Sequence, residues 1–140
     1  MPRETQILDK TFKSYGSIGS YKVVSCDVGT PGYCKLHAGS LYPGSLPGIG
    51  ITQLGSSKSG DDLQVRMIGI SKFVFSATQG SNPLGRPMYP RRGGRLSVLH
   101  IGAQAAGSLC FSMGVCVDAE GTGSEGAYGQ LMIQPQWFTI

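Results

Sequence analysis

Four cysteines, two histidines, an acidic pair and a run of arginines are the residues of this chain best equipped for chemistry. Cys26, Cys34, Cys110 and Cys116 include no C-x-x-C pair, so the usual spacing of a redox dithiol or a zinc knuckle is missing. Cys26, Cys34 and His37 read C-x7-C-x2-H, which fits no standard structural zinc site and lacks a fourth ligand. Cys110 and Cys116 belong to one face of one strand, where six residues span roughly 20 Å, too far for a mutual bond. His37 and His100 each end a strand-like run, the setting of a satisfied or solvated imidazole. A nucleophile needs a base and an orienting group, and neither histidine lies near a G-x-S-x-G turn. Asp61-Asp62 stands in the turn before a strand, where acidic residues are commonly just solvated. Gly121-Thr-Gly-Ser-Glu-Gly126 spells G-x-G-x-x-G, but phosphate binding needs a helix immediately after it. The sequence continues Ala127-Tyr-Gly-Gln-Leu-Met-Ile133, a glycine-interrupted strand. The expectation is therefore no catalytic residue, no metal, no cofactor and no enzymatic activity.

Charge points to a partner instead. The formal net charge is +4, and Arg86, Arg91, Arg92 and Arg95 fall within ten residues, while Leu96 to Ile140 contains no Lys or Arg. Such a cluster faces nucleic acid, an acidic protein surface, or water. No nucleic-acid-binding motif accompanies it, which favours the protein partner or solvent. The opening Met-Pro-Arg-Glu-Thr-Gln carries no apolar signal region. No apolar run approaches the roughly 18–20 residues that cross a bilayer. The expectation is synthesis in a reducing cytoplasm with free thiols, and no membrane partner.

The elements that would hold these residues are strands. Glycine (22 residues) and proline (8) occur without a three-residue period, and 40% of the 140 residues are hydrophobic. Collagen and disorder are thereby excluded, leaving one domain of short strands and tight turns. Strand-like runs occupy Tyr21–Val28, Tyr33–His37, Ile49–Thr52, Leu63–Met67, Ile68–Phe75, Arg95–Ile101, Leu109–Asp118 and Gln130–Gln134, with Gly69 a candidate bend. Residues 42–50, 77–94 and 121–129 read as loops, and Ala103–Ala106 could supply one helical turn. In Leu109–Asp118 the bulky Leu109, Phe111, Met113, Val115 and Val117 alternate with the small Cys110, Ser112, Gly114 and Cys116. A small-residue face suits close approach by a sheet, loop or neighbouring subunit. Residues 1–20 keep neither period, and predict an extended arm that orders on a partner, with Ile7, Leu8, Phe12, Tyr15 and Ile18 as its apolar contacts. The predicted architecture is all-β: a small barrel or sandwich of about eight short strands over residues 21–140, with glycine-rich loops and this N-terminal arm.

The order of short motifs carries a resemblance. Val23-Val24 leads through a turn to Cys34-Lys35-Leu36, followed by Gly48-Ile-Gly-Ile-Thr52, Ser59-Gly-Asp-Asp-Leu-Gln-Val65 and Ile68-Gly-Ile70. Gly85-Arg-Pro-Met-Tyr89, Gly94-Arg-Leu96, Gly107-Ser-Leu-Cys-Phe111 and Gly129-Gln-Leu-Met-Ile133 complete the series over about residues 21–134. It resembles the small β-barrel capsid decoration (cement) proteins of tailed bacteriophages. The departures are the Pro/Gly loop at 42–48 and the Arg-rich loop at 86–95. The resemblance implies a virion protein on the outer capsid surface that binds the major capsid protein and stabilises the shell against internal pressure. It also implies a homo-oligomer, with a trimer favoured. The second expectation is another β-rich virion module, such as a head-fibre base, a tail-tube protein or a carbohydrate-binding module. A carbohydrate binder should gather Tyr42, Tyr89 and Trp137 on one face.

Overall fold

The computed structural model describes residues 7–39, 46–77, 82–100, 106–120 and 123–139. Nine strands run in chain order: β1 (Leu8–Ser14), β2 (Val23–Cys26), β3 (Tyr33–Leu36), β4 (Gly50–Leu54), β5 (Asp62–Val74), β6 (Pro87–Pro90), β7 (Leu96–Val98), β8 (Leu109–Ala119) and β9 (Tyr128–Thr139). Among the described residues there is no helix, and the all-β expectation holds. The predicted loops at 42–45 and the candidate turn at 103–105 lie outside the described residues.

Two closed units share one strand. Hydrogen bonding follows the order β1-β3-β2-β4-β5-β9-β8-β6-β7, and β1 also pairs with β5. The first five strands of that order therefore form a closed barrel, with β1 parallel to β3 and antiparallel to β5. The second half of β5 pairs with β9, and the sheet β5-β9-β8-β6-β7 returns to the end of β5 through the parallel bridge Phe75–Leu96. The runs read separately as Leu63–Met67 and Ile68–Phe75 are one thirteen-residue strand. Gly69 sits between its two halves at φ 117, a conformation that costs little only without a Cβ. Each unit has its own core. Ile18, Val24, Cys34, Leu63 and Val65 fill the first barrel. Phe73, Phe75, Met88, Phe111, Met113 and Leu131 dominate the second.

The N-terminal segment is where the structure corrects the sequence reading most. Residues 8–14 are not an arm awaiting a partner: they are the strand that closes the first barrel, registered on Phe12↔Leu63 and Asp9↔Arg66. Asp9 and Arg66 also make a two-pronged ion pair, with Nε–Oδ1 at 2.9 Å and Nη2–Oδ2 at 3.2 Å, and both side chains are largely buried. Phe12 packs on the barrel core, and Ile18 is 1% exposed within it. Ile7, Leu8 and Tyr15 remain on the surface. The division at residue 20 thus cuts through the first barrel; residues 1–6 lie outside the described residues.

Two further expectations change. Residues 87–90, read as loop, form β6, a four-residue strand with a proline at each end. The strict alternation of β8 breaks at register shifts against β9 near Ser112/Gly114 and Cys116/Asp118. Phe111, Met113 and Cys116 consequently face the second core, while Val117 is exposed. The small-residue face is covered by the chain itself, since Cys110 is buried with Leu99 against Tyr89 and Phe138. Strand β9 runs through Pro135, which lies in the first of these shifts, where a ladder N–H is dispensable.

Because Ile18 is core and Leu8 is rim, the two should respond very differently to truncation. Ile18→Ala is expected to lose about 2–5 kcal/mol in chemical denaturation, and Leu8→Ser less than about 0.5 kcal/mol. Deleting residues 1–20 should unfold the protein, a result read by the loss of a cooperative melting transition.

Candidate interaction surface

The groups with chemical potential are mostly sealed inside the fold. All four cysteines are free thiols; Cys34, Cys110 and Cys116 are buried and Cys26 is exposed. His37 is buried, its Nδ1 accepting from the Gly39 N–H at 2.9 Å and its Nε2 standing 2.8 Å from the Leu46 carbonyl. That pattern fixes the neutral tautomer with the proton on Nε2. His100 is exposed, two residues beyond the end of β7. Asp62 pairs with Lys13, and Asp61 accepts from Ser57 Oγ at 3.1 Å. No three His, Cys, Asp or Glu side chains among the described residues could hold a metal ion. Residues 121–122 of the G-x-G-x-x-G spelling lie outside the described residues, and the strand β9 follows it directly.

What faces outward is a basic hairpin and an apolar ridge. The β6–β7 hairpin presents Arg91 and Arg92 as exposed side chains and Arg95 half-buried; its turn is closed by Arg91 N–H to Arg95 O at 2.6 Å and Gly94 N–H to Arg91 O at 3.1 Å. Arg91 donates to the Tyr89 hydroxyl at 2.8 Å and lies over the Tyr89 ring. Arg86 is separate, at the other end of β6, where its Nε donates to the Asn82 carbonyl. Gly94, at φ +73, carries the hairpin against β2, accepting the Val23 N–H at 2.8 Å; a Cβ there would come within 2.8 Å of the Val23 carbonyl. This docking brings Lys22 beside Arg95. Burial first, and the Arg95 charge second, hold the Lys22 ammonium below its usual pKa. Among the described residues none of the four arginines meets a carboxylate at ion-pair distance. The hairpin is thus a pre-ordered cationic surface, and Lys22 is the member that no local spacing reveals.

The ridge crosses three strands. Leu8 of β1 stands opposite Ile68 of β5, and Ile70 of β5 stands opposite Met132 of β9; all four are exposed. Of the predicted arm contacts, the structure brings Leu8 to this ridge, turns Phe12 and Ile18 inward, and leaves Ile7 and Tyr15 exposed. Tyr89 and Trp137 do not share one face as a sugar platform would require. Trp137 stacks on Phe111 with ring centroids 5.2 Å apart, whereas Tyr89 packs with Cys110 and Phe138 on the opposite face of the sheet. Tyr42 lies outside the described residues. A depression is lined by Lys72, Asp118, Glu120 and Tyr128, and the Lys72 Nζ lies 5.7 Å from the ring centroids of both Tyr21 and Tyr128.

The described residues define a two-unit β-barrel protein whose candidate site is an exterior surface, basic at the β6–β7 hairpin and apolar across β1, β5 and β9. No family model matches the sequence, and no curated protein matches it. In fold, the chain is similar to the N base of the head fibre gp8.5 of bacteriophage phi29, with a TM-score of 0.61 over 92% of this chain and 95% of that one, at 14% sequence identity.

His37 gives a measurable consequence. Burial lowers its pKa from the ordinary value of 6.5, opposed by the weaker effect of the Leu46 carbonyl. The unfolded chain therefore takes up this proton more readily than the folded one, so the stability it contributes is complete above pH 6.5 and is lost as pH falls below that value. Denaturant midpoints taken from about pH 7.5 to about 5.5 should decline, by at most about 1.4 kcal/mol per pH unit for one such group. His37→Gln should flatten the decline; an equal slope in the variant would show that other groups cause it.

Proposed function

We propose that this chain is a structural component of a tailed-phage virion that seats on the outer surface of the capsid and contacts the major capsid protein. The observation that carries the reading is the fold likeness along nearly the whole of both chains to a protein described as a phage head-fibre base. The ordered series of cement-like motifs between residues 21 and 134 supports it independently. So does the surface: a cationic hairpin and an apolar ridge are features for contacting another macromolecule, with aromatic and ionic groups held in place beforehand.

Two finer roles follow from this placement. As a decoration protein, the chain clamps neighbouring capsid subunits and raises the resistance of the shell to internal pressure. As a fibre base, it occupies the same surface and carries a further assembly outward, and the likeness in fold to the phi29 head-fibre base favours this second role. In either role a homo-oligomer, with a trimer as the form proposed, lets many modest contacts act together. The ridge formed by Leu8, Ile68, Ile70 and Met132 is the proposed apolar contact, with the exposed Ile7 next to it in sequence, and Arg91, Arg92, Arg95 and Lys22 the proposed contact to acidic groups, with Arg86 flanking.

The test is co-sedimentation of purified protein with undecorated expanded heads and with unexpanded proheads. Saturable binding to heads is expected, and no binding to either form overturns the proposal. The double reversal Arg91→Glu/Arg95→Glu should weaken binding at least about tenfold and flatten its dependence on salt. A head-stability assay separates the two roles: decoration predicts slower heat-driven DNA release from saturated heads, whereas a fibre base leaves release unchanged.

A further inference from the structure

Strands β2 and β3 are antiparallel, and their register places Cys26 directly opposite Cys34. The ladder alternates. Asp27 N–H donates to Tyr33 O at 2.9 Å, and His37 N–H donates to Val23 O at 3.0 Å. The hydrogen-bonded pairs are therefore 23–37, 25–35 and 27–33, and Cys26–Cys34 is a non-hydrogen-bonded pair. Such pairs hold their Cα atoms about 4.5 Å apart with side chains on the same face, inside the roughly 4.4–6.8 Å window in which a disulfide closes without backbone movement. The two thiols differ in access. Cys26 is exposed at the rim, while Cys34 is fully buried with Ile18, Val24, Leu63 and Val65. The remaining cysteines offer no competing pair, since Cys110 and Cys116 are buried in different clusters on opposite sides of β8.

We propose that Cys26 and Cys34 are a cross-strand dithiol, a modification site at which a small-molecule disulfide installs an intrachain disulfide at the mouth of the first barrel. The thiolate of Cys26 attacks one sulfur of the reagent and expels the other as a thiolate, forming a mixed disulfide. Cys34 Sγ then gives its proton to water and attacks Cys26 Sγ, expelling the second reagent thiolate. Two protein thiols lose two electrons and two protons, and the reagent disulfide becomes two thiols. Burial first, and the neighbouring Cys26 second, push the Cys34 thiol up to about 12, which makes Cys26 the entering nucleophile and the second step the slow one. No third metal-binding side chain stands with the pair among the described residues, so the site is a dithiol and not a metal centre. This inference uses only the register and burial of β2 and β3 and is independent of the virion reading.

The experiment treats the folded protein with oxidised glutathione, then alkylates all remaining thiols in denaturant and measures intact mass and peptide linkage. Two alkylated cysteines, a loss of about 2 Da before alkylation, and a linked peptide pair containing Cys26 and Cys34 are expected. Cys34→Ser should stop at one glutathione on Cys26, and Cys26→Ser should remain unmodified. Four alkylated cysteines, a persistent glutathione adduct on the unmutated protein, or linkage through Cys110 or Cys116 would each overturn the assignment. Because Cys26 is exposed, its serine variant tests the site without disturbing the core.

Discussion

The structure depends on one strand serving two sheets. The first half of β5 receives β1 and β4, and the second half receives β9. Both cores are consequently filled from one continuous backbone: Leu63 and Val65 on one side of Gly69, Phe73 and Phe75 beyond it. A chain of this size buries too little surface for two independent cores to be stable apart. Sharing β5 makes them cooperate, since loss of its pairing on one side removes the wall of the other. The Asp9–Arg66 fork belongs to the same logic. It fastens the barrel's first strand onto β5, and Arg66 Nη1 reaches on to the Ile70 carbonyl across the bend.

This arrangement also decides where recognition can occur. With the interior given to packing and His37 held neutral beyond the end of β3, the exposed groups with chemistry lie on the outside. There the hairpin, braced against β2, presents arginines that meet no carboxylate at ion-pair distance among the described residues. Bringing Lys22 against Arg95 costs electrostatic energy in the isolated protein, and an anionic partner would recover it. The apolar ridge on β1, β5 and β9 has similar character: side chains in register, exposed, and assembled from strands far apart in sequence.

How much of this was legible in the sequence follows from the range of the forces involved. Period-two patterning revealed the inward Leu63 and Val65, and β-branched runs revealed β2 and β4, because a strand's own residues carry that signal. Strand β1 escaped because its pairing leaves most of its side chains exposed; Phe12 is the apolar one that turns inward, and Ser14 fills a buried place that an apolar residue usually marks. Strand β6 escaped because prolines at both ends read as a loop. The basic hairpin was visible as composition, whereas Lys22 joined it only through the contact of Gly94 with Val23, seventy-one positions away in chain order. Facing pairs such as Cys26 and Cys34 are likewise properties of register, which the turn geometry of Gly29–Gly32 sets and composition does not.

Pro135 has a consequence beyond the irregularity it occupies. From Gln134 onward β9 is bonded to β8 alone among the described residues, leaving its other edge open. An open edge is a template on which a second molecule can add a strand, and propagation from one copy to the next leads to insoluble fibrils. A proline in that stretch sits at the register shift, where the irregular edge is a poor template for a further strand. The effect is protection against edge-to-edge pairing, installed by a single residue whose backbone has no hydrogen to offer.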